Sequence, residues 1–391
     1  MTNALARVLG RLPIGWLQLV HSKTRLAAAV AGVAFANVLV FVQLGIFGAL
    51  SETILVTYEL FDADILISAN DANTFLEGSN VARQRTYQAL TVPGIAAALP
   101  VYTALTEWTQ DDGNTSSLQV IGIDPGAARF LRQDLRERIP ELAILNTALL
   151  DVNTRGVDAE LMDTVKSGRS IDFELNGRTI TIRGAVSFGG GFTADGYLFV
   201  SDQTFLRIFQ KRISGAPDHI LLKATAGAGV AAIVDQLNLI FPRDNLRVRT
   251  LERAAQEDLA YQTTERPIGL IFGFGVVIGV IVGIVIVYQV LSTDVADHMR
   301  EYATFKAIGY RQRFFLGIVL EEAVILALFG FAPGISISWF IYGVLGQKSG
   351  LPLEMSVATA TMVLIGTILA CTFSGGIATR RLASADPADL F

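Results

Sequence analysis

With 391 residues, 51% of them hydrophobic and only 17% charged, the chain is more apolar than soluble domains, where about a quarter of residues carry charge. Its formal net charge of -5 combines an acidic middle section with basic flanking loops, a pattern without a nucleic-acid footprint. One cysteine, Cys371, and three scattered histidines, His21, His219 and His298, exclude a disulfide framework and give no metal cluster within the chain.

Residues 1–25 read as a short basic segment carrying Arg7, Arg11, Lys23 and Arg25. Residues 26–50 are the first of four stretches that reach the ~20 apolar residues a helix needs to cross a ~30 Å hydrocarbon core. A cleaved signal peptide is the rival reading, but the stretch exceeds the ~7–15-residue core of such a signal and no small-x-small site follows, so an uncleaved span is predicted. Asn37 and Gln43 inside it are neutral amides suited to interhelical hydrogen bonds. The helical signal then continues through Ser51–Phe61 without a Gly or Pro break.

Residues 51–267 read as a mixed α/β domain with a stalk helix at each end. Runs rich in β-branched and aromatic residues predict strands at Ile65–Ile67, Leu118–Ile123, Thr179–Ile182, Tyr197–Val200, Ile220–Leu222 and Leu246–Val248. Helical patterns cover Ala127–Arg138 and Ala228–Ile240, and Asn176-Gly177 predicts a hairpin joining Ile171–Leu175 to Thr179–Ile182. Turn clusters at Asp111–Ser117 and Ser187–Thr193 mark loops, the second containing Gly189-Gly190-Gly191. Length allows two subdomains within 62–250, without a legible boundary. Leu251–Arg266 is a polar helix former that ends at Pro267. A stalk of two such helices either transmits motion or only spaces the domain from the membrane, and the residues admit both.

Residues 268–291 form the second span, with Gly269, Gly273, Gly275, Gly279 and Gly283 in two interleaved small-xxx-small series that favour close helix packing. Gly273, Gly275 and Gly279 loosely match a dinucleotide glycine motif, but such a turn must follow a strand and open a helix. Loop 292–313 carries Val295, Met299, Tyr302, Phe305 and Ile308 at three- and four-residue spacing. Asp297, Arg300, Glu301 and Lys306 lie elsewhere on the helix, and Gly309 ends it. This amphipathic helix lies at the lipid interface or docks on a partner, and composition leaves both open.

In the third span, 314–345, Gly330, Pro333 and Gly334 predict a kink. Glu321 and Glu322 sit roughly 11–13 Å from its start. They form either a proton or cation site or, as we expect, structural carboxylates held by Arg300, Arg311 or Arg313. A short loop, 346–356, leads to the fourth span, 357–379, and a tail, 380–391, with Arg380 and Arg381. The basic short segments place both termini and the 292–313 loop in the cytoplasm and residues 51–267 outside. No continuous polar stripe runs along the spans, so an aqueous channel through one subunit is not expected. The chain has no Walker A sequence, no H-E-x-x-H and no G-x-S-x-G, so it is predicted to be no enzyme and to hold no cofactor or metal.

The stretch "HMREYATFKAIGYRQRFFLGIVLEEAVILALFGFAPG" resembles the loop and third span of the FtsX/MacB superfamily of ABC-transporter permeases. "WLQLVHSKTRLAAAVAGVAFANVLVFVQLGIFGAL", "LPVYTALTEW", "LQVIGIDP", "FTADGYLFVSDQTFLRIF" and "RRLASADPADLF" resemble the DevC-type subgroup. The likeness covers almost the whole chain and is weakest at 139–170. It implies an α-helical membrane protein with four spans in a one-plus-three arrangement and a mixed α/β periplasmic domain, set in a bacterial inner membrane as a homodimer. It implies a separate cytoplasmic ABC ATPase that binds ATP and Mg, a periplasmic adaptor of the membrane-fusion type and a TolC-like outer-membrane channel. By position, Met299, Arg300, Glu301, Tyr302, Phe305, Lys306 and Gly309 would contact the ATPase. The resemblance makes the chain an export permease working by mechanotransmission. An FtsX-like scaffold activating an extracytoplasmic hydrolase and a lipoprotein-release permease are the alternatives. Glycolipid export is associated with the subgroup's namesake, but no residue transfers the cargo.

Overall fold

The computed structural model describes residues 13–110, 113–241 and 245–379. Arg7, Arg11, Asp111, Arg380, Arg381 and the closing "RRLASADPADLF" lie outside the described residues. In chain order the elements are α1 (Ile14–His21), α2 (Lys23–Glu59), β1 (Ile65–Ala69), α3 (Gln84–Leu90), β2 (Ile95–Thr109), β3 (Thr115–Ile123), α4 (Gln133–Arg136), β4 (Thr147–Asp151) and α5 (Ala159–Lys166). They continue with β5 (Ile171–Leu175), β6 (Arg178–Val186), β7 (Gly196–Ser201), α6 (Asp202–Ile208), β8 (His219–Ala224), α7 (Val230–Ile240) and β9 (Leu246–Thr250). The chain then closes with α8 (Leu251–Thr264), α9 (Pro267–Asp297), α10 (Met299–Ala307), α11 (Gln312–Ser349) and α12 (Val357–Ala378). The chain divides into two compact units, one of Met1–Phe47, Ile271–Val344 and Leu353–Phe391, the other of Gly48–Leu270 and Leu345–Pro352.

In the helical unit, α2, α9, α11 and α12 are, among the described residues, long and apolar enough to cross a membrane. Pro333 is carried inside α11, which runs as one helix to Ser349. The core joins Leu19, Val33, Val287, Leu291, Tyr302, Phe315, Ile318, Val319, Leu326 and Cys371. Glycines let these helices approach. A Cβ on Gly279 would stand 3.1 Å from Val40, one on Gly283 3.1 Å from Ala36, and one on Gly275 2.5 Å from the Gln43 amide carbon. That i, i+4 series of α9 faces α2, whereas Gly273 faces open space and Gly269 abuts Thr263 at the α8–α9 junction.

On α11, a Cβ at Gly330 would lie 2.5 Å from Val33 Cβ. Adding a methyl group there forces packed helices apart, at a cost of about 1–3 kcal/mol. Gly330→Ala is therefore expected to lower the melting temperature of the solubilised protein, while Gly273→Ala, with nothing within 4 Å, leaves it unchanged or raised. Equal melting temperatures for the two variants would refute this packing account.

The α/β unit is built on one nine-stranded sheet of order β5-β6-β4-β7-β3-β2-β8-β1-β9. The sheet is continuous through both halves of the domain, because the 15-residue β2 serves both. Its first half, Ile95–Val101, pairs with β8, and Tyr102–Thr109 pairs with β3. Beyond β3 the pairing is parallel with β7 and then antiparallel with β4. The β5–β6 hairpin turns at Asn176 and Gly177, whose φ values of 49° and 71° suit the twist of paired strands. All six strand runs read from the sequence lie inside β1, β3, β6, β7, β8 and β9.

The expected helix at Ala127–Arg138 is not formed as one element. A 3-10 turn over Pro125–Phe130 is opened by Asp124, whose carboxylate accepts the Gly126 N–H at 2.8 Å. Leu131 then extends to bridge Phe61, and only Gln133–Arg136 is α-helical. Tertiary pairing at Leu131 outweighs local helix propensity there.

Candidate functional site

The corner where α9 turns into α10 and α11 carries most of the residues singled out in the sequence. His298, at φ -94° and ψ 11°, breaks the helix after Asp297. Gly309 ends α10 at φ 107°, a left-handed conformation that favours glycine, with its N–H on Lys306 O at 3.0 Å and that of Tyr310 on Phe305 O at 3.1 Å. Arg300, Glu301, Ile308 and Tyr310 are exposed, whereas Met299, Phe305 and Lys306 are half-buried. Phe305 packs its ring 5.7 Å from Tyr310 and 6.2 Å from Phe314.

Tyr302 corrects the predicted contact set. It is 1% exposed, its ring sits edge-on to Phe315 at 5.6 Å, and its hydroxyl donates to Gln18 Oε1 at 3.2 Å. Burial pushes its phenol pKa up. The side chain fastens α10 to the core and offers no surface to a partner. Its bonding partner, Gln18, lies on α1, a helix absent from the sequence-based reading of 1–25. Pro13 and Ser22 at its ends were the available signals.

The paired glutamates are also placed differently from expectation. Glu321 is buried and its Oε1 accepts the Trp16 N–H of α1 at 3.3 Å. Glu322 is fully buried, and neither of its oxygens receives a hydrogen-bond donor. Arg300, Arg311 and Arg313 are exposed, and among the described residues none of them pairs with Glu322. Arg25 of α2 instead bonds two acidic residues at the end of α9, Asp294 at 3.3 Å and Asp297. Loop arginines next in sequence face solvent, so the glutamate meets only the residues that the helix packing brings to it.

In the α/β unit, the end of α2 and α8 lie side by side. Tyr58 donates to the buried Asp258 at 2.8 Å, and that carboxylate also accepts Phe75 N–H at 2.9 Å and Gln262 Nε2 at 2.6 Å. Burial raises the Asp258 pKa against these donors. Beside them a cavity of about 410 Å³ is lined by Leu50, Thr53, Thr57, Gly191, Tyr197 and Gln262. The glycine-rich loop is fixed by Asp151, which accepts the N–H groups of Asn153, Phe188 and Gly189, and by Arg155, which bonds Gly191 O and Ala194 O. Arg155 also donates to Ser349 O at 2.9 Å, at the end of α11. Among the described residues no group of three or more His, Cys, Asp or Glu side chains is placed to hold a metal ion.

The chain thus combines, among the described residues, an apolar helical unit with four helices long enough to cross a membrane, a mixed α/β domain, and a short helix between the second and third long helices. Residues 26–240 match the MacB-like periplasmic core domain family, and residues 270–387 match the FtsX-like permease C-terminal family. The chain belongs to the MacB-like periplasmic core domain family and is an ABC-transporter permease of the FtsX/MacB type. A relative, the macrolide export ATP-binding/permease protein MacB of Shewanella sp. (strain ANA-3), is 31% identical over 116 residues, which are 29% of this chain and 17% of that protein. The chain thus spans under a fifth of that relative's length.

Two solved structures are similar. The periplasmic region of MacB from Actinobacillus actinomycetemcomitans is 12% identical, with a TM-score of 0.33, over 50% of this chain and 92% of that one. The extracellular domain of the noncanonic ABC-type transporter YknZ from Gram-positive bacteria is 9% identical, with a TM-score of 0.34, over 48% and 98%.

Proposed function

We propose that this permease is the membrane subunit of an exporter that works by mechanotransmission. Each copy of a homodimer in the bacterial inner membrane pairs with a cytoplasmic ATPase, which supplies the ATP and Mg site. Both termini and the α10 corner face the cytoplasm, and the α/β domain faces the periplasm, where it engages an adaptor and, through it, a TolC-like channel. A DevC-type assembly fits this arrangement. The observation that carries the reading is α2, one unbroken helix of 37 residues from Lys23 to Glu59. Its apolar part is long enough to span a bilayer, and its far end is bonded to α8 through Tyr58 and Asp258. A continuous helix moves as a rigid rod, so displacement at one end reaches the other.

The test is to insert two glycines after Ser51 in the complex reconstituted with its ATPase, adaptor and channel. The expected result is export reduced at least ~10-fold while ATP turnover persists, because the rod is broken and the motor is not. Export at the wild-type rate would exclude this route of transmission.

A further inference from the structure

The cavity of about 410 Å³ in the α/β unit has no part in the transmission route, yet its walls are graded from apolar to polar. On α2 it is lined by Leu50, Thr53, Ile54 and Thr57, the i, i+3, i+4, i+7 row of one helix face. On α8 it is lined by Asp258 and Gln262, one turn apart. The loop over residues 191–194 closes a third side, where a Cβ on Gly191 would stand 3.2 Å from Thr53 Cβ. Leu50 ends the apolar stretch 26–50, and Pro267 and Ile268, which also line the cavity, open the next. Thr57 stands roughly 10 Å further along α2, at about 1.5 Å per residue.

That polar end holds a hydrogen-bond donor to spare. Thr57 and Tyr197 are 7% and 4% exposed, and their hydroxyls share one hydrogen bond at 2.9 Å. Two hydroxyls carry two O–H protons and the shared bond uses one of them, so the other meets no acceptor among the described residues. A buried donor without an acceptor is costly, and an oxygen placed in the cavity removes that cost. The ionised groups on the walls, by contrast, are already matched. Asp258 accepts from Tyr58, Phe75 N–H and Gln262, and Arg266 bonds Glu77. Among the described residues no lining cation is left for a phosphate or carboxylate, and no lining carboxylate for an amine.

We infer that this cavity binds the uncharged, oxygen-bearing head of a membrane amphiphile, whose acyl tail leaves past Leu50 and Ile268 into the bilayer. The inference rests on the proposed topology, which puts the ends of the two spans at the outer membrane surface. The spare O–H of the Thr57–Tyr197 pair donates to a hydroxyl, ester or ether oxygen of the head. Two of the walls are α2 and α8, so displacement of the α2 rod changes the space that holds the head. The class of molecule offered to the exporter is therefore a neutral amphiphile drawn from the outer leaflet.

The probe is radiolabelled monooleoylglycerol, titrated onto the full-length protein in phosphatidylcholine nanodiscs. ATPase, adaptor and channel are left out, so a negative result does not touch the transmission reading, and failed transmission does not touch this one. The wild type is expected to bind the probe saturably. Tyr197→Phe keeps the ring and removes a hydroxyl, and should weaken binding roughly 3- to 10-fold. Thr193→Trp fills the cavity from an exposed position in the loop and should weaken it at least ~10-fold with the melting temperature unchanged. Unsaturable binding, or wild-type affinity in Thr193→Trp, overturns the site. Displacement of the probe by free glycerol overturns the lipid as its source, and equal displacement by phosphatidylglycerol overturns the neutral head. If Tyr197→Phe does not fold, Thr193→Trp decides alone.

Discussion

Ile308→Asp is expected to reduce co-purification of the partner ATPase at least ~10-fold, with the protein still folded. Ile308 is 69% exposed, follows the last turn of α10 and belongs to no core cluster, so its replacement removes no internal packing. A large apolar side chain that serves as an interface anchor costs about 2 kcal/mol or more of binding when it is lost. A carboxylate at the same place adds desolvation without a partner. A double change of Phe305 and Lys306 tests the contact less cleanly, because Phe305 is packed against Tyr310 and Phe314 and its loss disturbs the corner itself. Melting temperature should therefore match the wild type in Ile308→Asp and drop in Phe305→Ala. Should the ATPase stay bound and coupled in Ile308→Asp, α10 is not its docking element.

Asp151→Ala is expected to be the most destabilising single change in the α/β unit, by roughly 3–5 kcal/mol, measured by denaturant or thermal unfolding. The carboxylate is fully buried and accepts three backbone N–H groups, from Phe188 at 3.0 Å, Asn153 at 3.1 Å and Gly189 at 2.8 Å. Removing it orphans all three and frees the loop that lines the cavity beside Thr53. The pH dependence has a definite sign. Burial pushes the Asp151 pKa above the ordinary value of ~3.9, despite the three donors that favour the ionised form. Its contribution is thus greatest below that ordinary pKa and is lost as pH rises through the raised one. Asp151→Asn should flatten the stability profile across that window. A wild-type stability that instead rises with pH relative to Asp151→Asn would show that the three donors, not burial, govern the group.

What the sequence made legible follows from how local each signal is. The spans and six strands were readable because hydrophobic runs and β-branched clusters bounded by turn residues report burial directly. β2 was not, since Pro100 argues against a central strand. The structure resolves the conflict by placing Pro100 in the half of β2 that ladders with β8 and is free of β3. β4 and α5 fell in 139–170, where no motif was recognised. At the α10 corner the amphipathic spacing marked the right residues but gave no inside or outside. Whether Tyr302 faces the core depends on α1 and Phe315, and only packing decides it. The same holds for Glu322, which is buried beneath Gly15 of α1, a neighbour 307 positions earlier and invisible to any local pattern.

The strand order carries a consequence for how the protein is made. β1 pairs with β8 and β9, so Ile65 meets Leu222 on one side and Thr250 on the other. The first strand cannot find either neighbour until nearly the whole domain has been synthesised, and the second span begins at Pro267, only 17 residues after Thr250. Such long-range closure is slow relative to local helix formation. In the proposed topology the segment between the first two spans crosses the membrane as an open chain, with its early strands unpaired and in need of protection from aggregation. Its sheet closes at about the time α9 enters the bilayer, which makes completion of the domain and insertion of the next span nearly a single event.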